Sequence, residues 1–358
     1  MKILIDIGHP AHVHLFRNMV NQLACNGYNI FITARNKQMI RKLLDHYQLH
    51  YTIRHNSRKG VAAKLIGFII ITLQLIKQYK RNKPDLLVGG VGNAYISLLS
   101  FLTRTPSIIF DDTEHAQSEL FFILKFADCI VTPDCYLKKL GSKHIGYKGY
   151  HELAYLHPNR FTPDSSILDL LGVQKDEKYI ILRFVSWNAS HDVGHSGLSI
   201  EIKRKAVKEL SKYAKVFISS EGELPDDLKT YQIKIPPEKM HDALAFATLF
   251  VGEGATMASE CACLGTPAIY VNSLEVGYCT EQGGKYKLVY NYRNSEGVIE
   301  KAIELLNIPN LKQEFQYRRE KMLADKIDVT AFFVWFIENY PESVKIMKEN
   351  PDYQYNFK

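Results

Sequence analysis

No C-x-x-C pair occurs among the six cysteines of this 358-residue sequence, so neither a redox motif nor a zinc ribbon is expected. All six are read as structural thiols, with Cys25 and Cys129 in apolar surroundings. Proline is scarce at 13 residues, and 46% hydrophobic with 23% charged residues is the usage of a packed globular chain rather than a disordered one. Only the tail from Asn350, which lacks apolar periodicity, is expected to be disordered. Met1 runs straight into KILIDI, a buried-strand pattern, where a cleavable leader would carry basic residues and an apolar core, so a cytoplasmic location is expected. Helix-turn-helix, zinc-finger and RNP patterns are absent, which removes nucleic acid from the expected partners. The most apolar stretch, 61–76, is interrupted by Lys64 and falls short of the roughly 20 residues a membrane span requires.

What charge there is lies unevenly. Residues 1–150 carry 20 Lys+Arg against 9 Asp+Glu, a net of +11, whereas the remainder carries 25 against 29, a net of −4. The first half therefore faces something anionic, and an acidic membrane surface or an anionic lipid-linked acceptor fits. VAAKLIGFIIITLQLIKQYKRNK (61–83) admits two readings: a buried α/β helix, or an interfacial helix with Lys77, Lys80, Arg81 and Lys83 at the lipid headgroups.

The length suits two domains. Short apolar runs alternate with amphipathic stretches, the pattern of a parallel sheet covered by helices. In the first half strands are predicted at 2–7, 29–34, 85–90, 106–110 and 128–133, with helices at 13–26, 36–46, 61–82, 94–103 and 117–126. A loop with Tyr150, His157, Pro158 and Pro163 interrupts the alternation, and KYIILRFV (178–185) begins a second run with later strands at 214–220, 248–253 and 267–272. Helices there are predicted at 199–213, 238–247, 256–264, 295–306 and 309–324. The boundaries that follow are a first Rossmann-like domain over 1–155, a second over 156–327, and an aromatic-rich final helix over 328–350 capped by Asp328 or Thr330.

The segment VGEGATMASECACLGTPAIYVN (251–272) is the most informative. A strand leads through Gly252 and Gly254 into a helix opening near Thr256. Backbone N–H groups of such a turn approach an anion closely, and the helix N-terminus adds about half a positive charge, which together make a diphosphate cradle. Its residues are Gly254, Ala255, Thr256 and Met257. Glu260 follows one helical turn later, where a carboxylate can accept hydrogen bonds from the two vicinal hydroxyls of a ribose.

The spacing of Gly254, Thr256, Glu260, Gly265 and Pro267 resembles the nucleotide-sugar motif of GT-B proteins, including MurG-type N-acetylglucosaminyltransferases and non-hydrolysing UDP-N-acetylglucosamine 2-epimerases. It is closer still to a GT-B-like domain-of-unknown-function family often associated with surface polysaccharides. Lys83, Pro84, Asp85, Gly90 and Gly92 resemble the run that enters the first-domain cleft of MurG-type enzymes. The resemblance implies two Rossmann-like domains facing across a cleft, with the last helix crossing back to the first domain. It also implies that the first domain meets the acceptor and the second binds the nucleotide-sugar.

On the first-domain side, IGHPAHVHLF (7–16) places Gly8, His9, His12 and His14 after the first strand, at the edge where open α/β sheets bind ligands. His12 occupies the place of the MurG-type loop histidine, although Pro10 and Ala11 replace its two glycines. It is read as a general base or an orienting donor. No zinc ligand set is expected there, since the spacing of the three histidines matches no standard pattern. Asp111, Asp112 and Glu114 form an acidic cluster at another strand end, where mutual repulsion favours proton transfer. Glu114 resembles a cleft glutamate of the epimerases. Gly92 and Asn93 stand where those enzymes carry a Gly-Asp pair.

In the second domain, the loop RFVSWNASHDVGH (183–195) offers Arg183, Ser186 and Asn188 to a sugar nucleotide. An Asp-x-Asp pair is absent throughout, which argues against the metal-dependent glycosyltransferase design; no metal and no cofactor beyond a UDP-sugar substrate is expected. The leading expectation is transfer from a UDP-N-acetylhexosamine to a saccharide or lipid-linked acceptor, with His12, Glu114 and Asp112 as catalytic candidates. A 2-epimerase-like isomerase and a nucleotide-sugar-binding protein without turnover remain as alternatives.

Overall fold

The structure is a computed structural model that describes residues 1–56, 61–115, 117–185 and 198–358. It divides into two compact units, Met1–Arg160 with Ile327–Lys358, and Phe161–Lys326.

The first unit is built on a seven-stranded parallel sheet: β1 (Lys2–Ile7), β2 (Asn29–Arg35), β3 (Tyr51–Arg54), β4 (Leu86–Gly89), β5 (Ser107–Phe110), β6 (Cys129–Pro133) and β7 (His144–Tyr147). The order is β3-β2-β1-β4-β5-β6-β7. The central strands are continuous apolar runs because helices cover both faces; Ile3, Leu4, Ile5, Leu87 and Ile109 are fully buried. The order reverses between β1 and β4, the kind of switch point at which such sheets open a crevice beyond their carboxyl ends. Two strands here were not legible as strands: β3 and β7 are four-residue edges without an apolar run.

The second unit carries β8 (Tyr179–Phe184), β9 (Lys215–Ser220), β10 (Leu249–Gly252), β11 (Ala268–Val271) and β12 (Val289–Tyr292). All are parallel, in the order β12-β11-β10-β8-β9, so the switch point falls between β8 and β10. Both Gly252 on β10 and Arg183 on β8 sit at that point, and the strands approach so closely that a Cβ on Gly252 would lie 2.6 Å from Arg183 Cβ.

The last segment returns to the first unit. Asp328, rather than Thr330, caps the helix Val329–Glu338: its carboxylate accepts from Ala331 N at 3.1 Å and pairs with Arg160 at 2.8 Å. Phe333 of that helix packs on Phe110 of β5 at 4.1 Å between ring centroids. The single helix expected over 328–350 is two, Val329–Glu338 and Glu342–Glu349, because Pro341 lacks the N–H that would continue the first. The tail is ordered, against expectation. Pro351–Phe357 forms a 3-10 turn held by Tyr353 stacked on Trp335 at 4.8 Å and by buried Gln354, whose side-chain oxygen accepts from Lys148 N at 2.6 Å. Aromatic contacts every few residues supply the burial that apolar periodicity did not show.

None of the six cysteines forms a disulfide; Cys25 is exposed rather than in apolar surroundings.

Candidate functional site

In the second unit, β10 ends at Gly252, and Glu253 and Gly254 lead into the helix Ala255–Leu264. Gly254 is the N-cap and offers no side chain to the first turn, while residues 254–257 are only half-buried. No side chain among the described residues caps this turn, which leaves the N–H groups of Ala255, Thr256 and Met257 to an anion at the positive end of the helix. Gly254 has an ordinary φ of −94°, and a Cβ there would meet Arg183 Cγ no closer than 3.6 Å. Among the described residues, no contact requires glycine at this position.

Glu253, not singled out by the sequence, is buried. Its carboxylate accepts from Val185 N at 3.0 Å and Leu198 N at 2.6 Å, the residues flanking segment 186–197. Ser186 and Asn188 lie outside the described residues. Arg183 lays its stem beside Gly254 while its guanidinium donates to Ser219 at 2.9 Å and Glu221 at 2.6 Å. Glu260 is buried on the helix, with Oε1 3.0 Å from Nε2 of His241, whose ring meets Phe161 edge-on. One carboxylate oxygen of Glu260 is thereby held in place by a histidine that sequence reading did not connect to it.

In the first unit, the helix expected over 13–26 begins earlier, at Pro10, so His12 as well as His14 stands on a helix. Proline is well suited to that first turn, and His9 caps it by accepting from Ala11 N at 3.3 Å. His12 is buried, its ring against Gly90 just past β4. A Cβ on Gly90 would fall 2.8 Å from His12 Nδ1, so only glycine admits the ring. His12 Nδ1 accepts from Gly8 N at 3.3 Å, which leaves Nε2 to carry the ring proton. Burial, then the charge of His9, push its pKa down to about 3. A neutral ring with one nitrogen already accepting suits an orienting donor and not a general base. His14 packs instead against Tyr155 and Tyr47, at 5.3 and 5.9 Å.

At the end of β1 lies a buried network that the sequence concealed. Asp6, at the end of β1, receives Arg54 Nε at 2.7 Å and Nη2 at 2.9 Å, Thr33 Oγ1 at 2.7 Å and Asn93 Nδ2 at 2.8 Å. Burial opposes ionisation of Asp6, but Arg54, Thr33 and Asn93 hold its pKa below the usual carboxylate value. Asn93 also caps the helix Ala94–Thr103 by accepting from Ile96 N at 3.1 Å. Both ends of its side chain are therefore engaged within the protein. Gly92 turns the chain into that helix with φ +66°.

The acidic cluster beyond β5 is divided by its surroundings. Burial raises the pKa of Asp111 to about 7, helped by the charge of Asp112. Asp112 is also buried, but His151, with Thr113, holds its carboxyl below the usual range; His151 Nδ1 lies 3.0 Å from Asp112 Oδ2. Glu114 is tied to the backbone, accepting from Leu137 N at 3.1 Å. His151 follows β7, so His12, Asp111, Asp112 and His151 all stand beyond carboxyl ends of the same parallel sheet. It was missed because its partner is distant in the chain and no motif announces it.

The outer faces of three helices form an apolar surface on this unit. Phe68 of Val61–Asn82 packs on Tyr95 of Ala94–Thr103 at 5.0 Å and on Phe122 of Gln117–Phe126 at 5.6 Å. Outward from these contacts, Ile69, Leu73, Phe101 and Phe121 are 52 to 60% exposed. The helix 61–82 buries Ile71 and Leu75, while Ile69 and Leu73 face solvent. Lys77, Lys80, Arg81, Lys83 and Lys125 are exposed on the same helices and the residue that follows the first. No helix among the described residues is long and apolar enough to cross a membrane.

Residues 1–323 match the family described as "Protein of unknown function (DUF354)". The chain belongs to that family. A relative, described as "Uncharacterized protein MJ0665" of Methanocaldococcus jannaschii, is 25% identical over 280 residues, 75% of this chain and 81% of that protein. Among solved structures, the UDP-GlcNAc 2-epimerase from Neisseria meningitidis bound to UDP-GlcNAc superposes with a TM-score of 0.68 at 12% identity, covering 98% of this chain and 99% of that one. The spinosyn rhamnosyltransferase SpnG complexed with spinosyn aglycone gives 0.63 at 10% identity, covering 95% and 100%. At such identities the likeness is one of fold, and it makes this member of the DUF354 family a GT-B-like α/β protein.

Proposed function

We propose that this chain is a metal-independent, nucleotide-sugar-dependent glycosyltransferase of cell-surface polysaccharide or glycoconjugate assembly, with a UDP-N-acetylhexosamine donor. The observation that carries the reading is the N-terminus of Ala255–Leu264, which no side chain among the described residues caps, preceded by a glycine that no contact among those residues requires. A diphosphate gives that glycine its reason, because the backbone can then approach an anion without a side chain between them. Ala255, Thr256 and Met257 bind the diphosphate, Glu260 the ribose, and the helix terminus stabilises the departing UDP in place of a cation. The uridine reading draws support from the Neisseria neighbour, which is bound to UDP-GlcNAc; the polysaccharide context rests on the family resemblance. The first unit meets the acceptor, a saccharide or an anionic lipid-linked one, and its exposed apolar and basic face supports contact with the inner surface of the membrane.

A second reading, a 2-epimerase-like isomerase, is favoured by one feature: Asp111, with a pKa of about 7, stands beside Asp112. Elimination and re-addition of UDP needs two proton-transfer groups, and such a pair offers them. Incubation with a panel of UDP-sugars, with and without glycan and polyprenyl-phosphate acceptors, separates the readings. UDP release that depends on acceptor supports the transferase. A C2 epimer formed without acceptor replaces it with the isomerase, and UDP binding with no product under any condition leaves a binding protein.

A further inference from the structure

His151 is about 5% exposed, and its Nε2 is buried with no hydrogen-bond partner among the described residues. The ring is otherwise tightly placed. Tyr147 lies parallel to it, with centroids 6.3 Å apart and planes 12° from coplanar, Phe333 meets it edge-on at 6.4 Å, and Asp112 accepts at Nδ1 from 3.0 Å. A buried ring nitrogen left without a partner is costly, so an imidazole this well oriented with Nε2 unmatched calls for an explanation outside the protein. Asp112 dictates the tautomer: a carboxylate at Nδ1 places the ring proton there and leaves the lone pair on Nε2. His12 is held the other way, with Nδ1 accepting from Gly8. The two histidines of this sheet edge thus present opposite nitrogens, one a donor and one an acceptor.

The geometry points to His151, held by Asp112, as the proton acceptor for the hydroxyl of an alcohol acceptor bound in the first unit, with His12 donating to that substrate rather than deprotonating it. This rests on the transferase reading above. Nε2 of His151 takes the hydroxyl proton as the acceptor oxygen forms its bond to the anomeric carbon; the bond from that carbon to the diphosphate oxygen breaks, and UDP leaves with the electron pair. The resulting imidazolium is stabilised by the Asp112 carboxylate and later returns its proton to water. Asp112 is the positioning residue of the pair. Tyr147 and Phe333 wall the ring, and Asp111 and His12 are the other titratable groups whose charges act on this pair.

The test uses the full chain and three readouts. Long-range 1H–15N imidazole spectra at pH 7, with His151 assigned by its absence from His151→Gln, are expected to show a protonated Nδ1 and a bare Nε2; a protonated Nε2 overturns the proposal whatever the enzyme's substrate. Calorimetry with UDP is expected to give equal affinity for wild type, His151→Gln and Asp112→Asn, because the nucleotide is assigned to the second unit. Failure of wild type to bind UDP sinks the transferase reading while the spectra still judge the dyad. In transfer from UDP-GlcNAc to the acceptor panel, His151→Gln is expected to lose 10²- to 10⁴-fold in rate, the usual contribution of a general base. Asp112→Asn is expected to lose rate and change the pH profile, with partial recovery in Asp112→Glu. Wild-type turnover in His151→Gln overturns the assignment.

Discussion

Arg54 Nε lies 2.7 Å from Asp6 Oδ1, and both side chains are buried at the switch point of the first sheet. Breaking one side of such a pair leaves a charge without compensation in a dry site, a loss of about 3–5 kcal/mol. Arg54→Met is expected to destabilise the fold by that order at pH 7, read from urea unfolding. Because the folded-state pKa of Asp6 is lowered, its contribution is present above the unfolded carboxylate value and is lost as pH falls through the lower folded value. The deficit of Arg54→Met should therefore shrink in strong acid; a variant as stable as wild type at pH 7 would show the pair to be inert.

His12 and Asp111 give a second prediction, in which two opposed titrations hide one another. His12, with a pKa of about 3 in the fold against about 6.5 unfolded, loses stability as pH falls from 6.5. Asp111, with about 7 in the fold against about 3.8 unfolded, loses stability as pH rises toward 7. Between pH 4.5 and 6.5 the unfolded chain binds one more proton at His12 and one fewer at Asp111, and the slopes cancel. Asp111→Asn is expected to unmask a stability that rises with pH by roughly 1.4 kcal/mol per unit, and His12→Gln one that falls by a similar amount. Urea unfolding at pH 4.5, 5.5 and 6.5 measures both; parallel, flat profiles in both variants would contradict these titrations.

These residues also mark where sequence reading stopped. The central strands were legible because a strand covered on both faces must be continuously apolar, and the glycine turn before Ala255 because its glycines stand beside a strand end. Asp6 passed as part of an apolar strand, since its partner Arg54 lies on a four-residue edge strand with no pattern of its own. His151, His241 and Glu253 went unremarked for the same reason: each acquires its role from a partner distant in the chain, and spacing encodes only neighbours. Between the two roles the sequence leaves open for His12, base or orienting donor, burial and the Gly8 N–H favour the donor, and neither is visible in a motif.

The exposed face of the first unit is expected to bind anionic vesicles reversibly. Each Lys or Arg near such a surface contributes roughly 1 kcal/mol, so changing Lys77, Lys80, Arg81 and Lys83 to Gln should abolish sedimentation with phosphatidylserine vesicles at low salt. Phe121→Ser should weaken binding without changing its salt dependence. Equal and negligible binding under every condition would remove the membrane from the account.

Chelation tests the helix terminus as the substitute for a cation. UDP release from UDP-sugars is expected to survive EDTA and to gain little from magnesium or manganese. Complete loss on chelation, restored by one divalent ion, would contradict it.

The central claim is that a nucleotide diphosphate binds the second unit at Gly254–Met257 and Glu260, and calorimetry with UDP tests it most directly. Wild type is expected to bind, and Glu260→Ala to bind about 1.5–3 kcal/mol more weakly, the range for a hydrogen bond to a charged group, with circular dichroism showing the fold intact. Wild-type affinity in a folded Glu260→Ala variant, or no binding by wild type itself, would contradict the account.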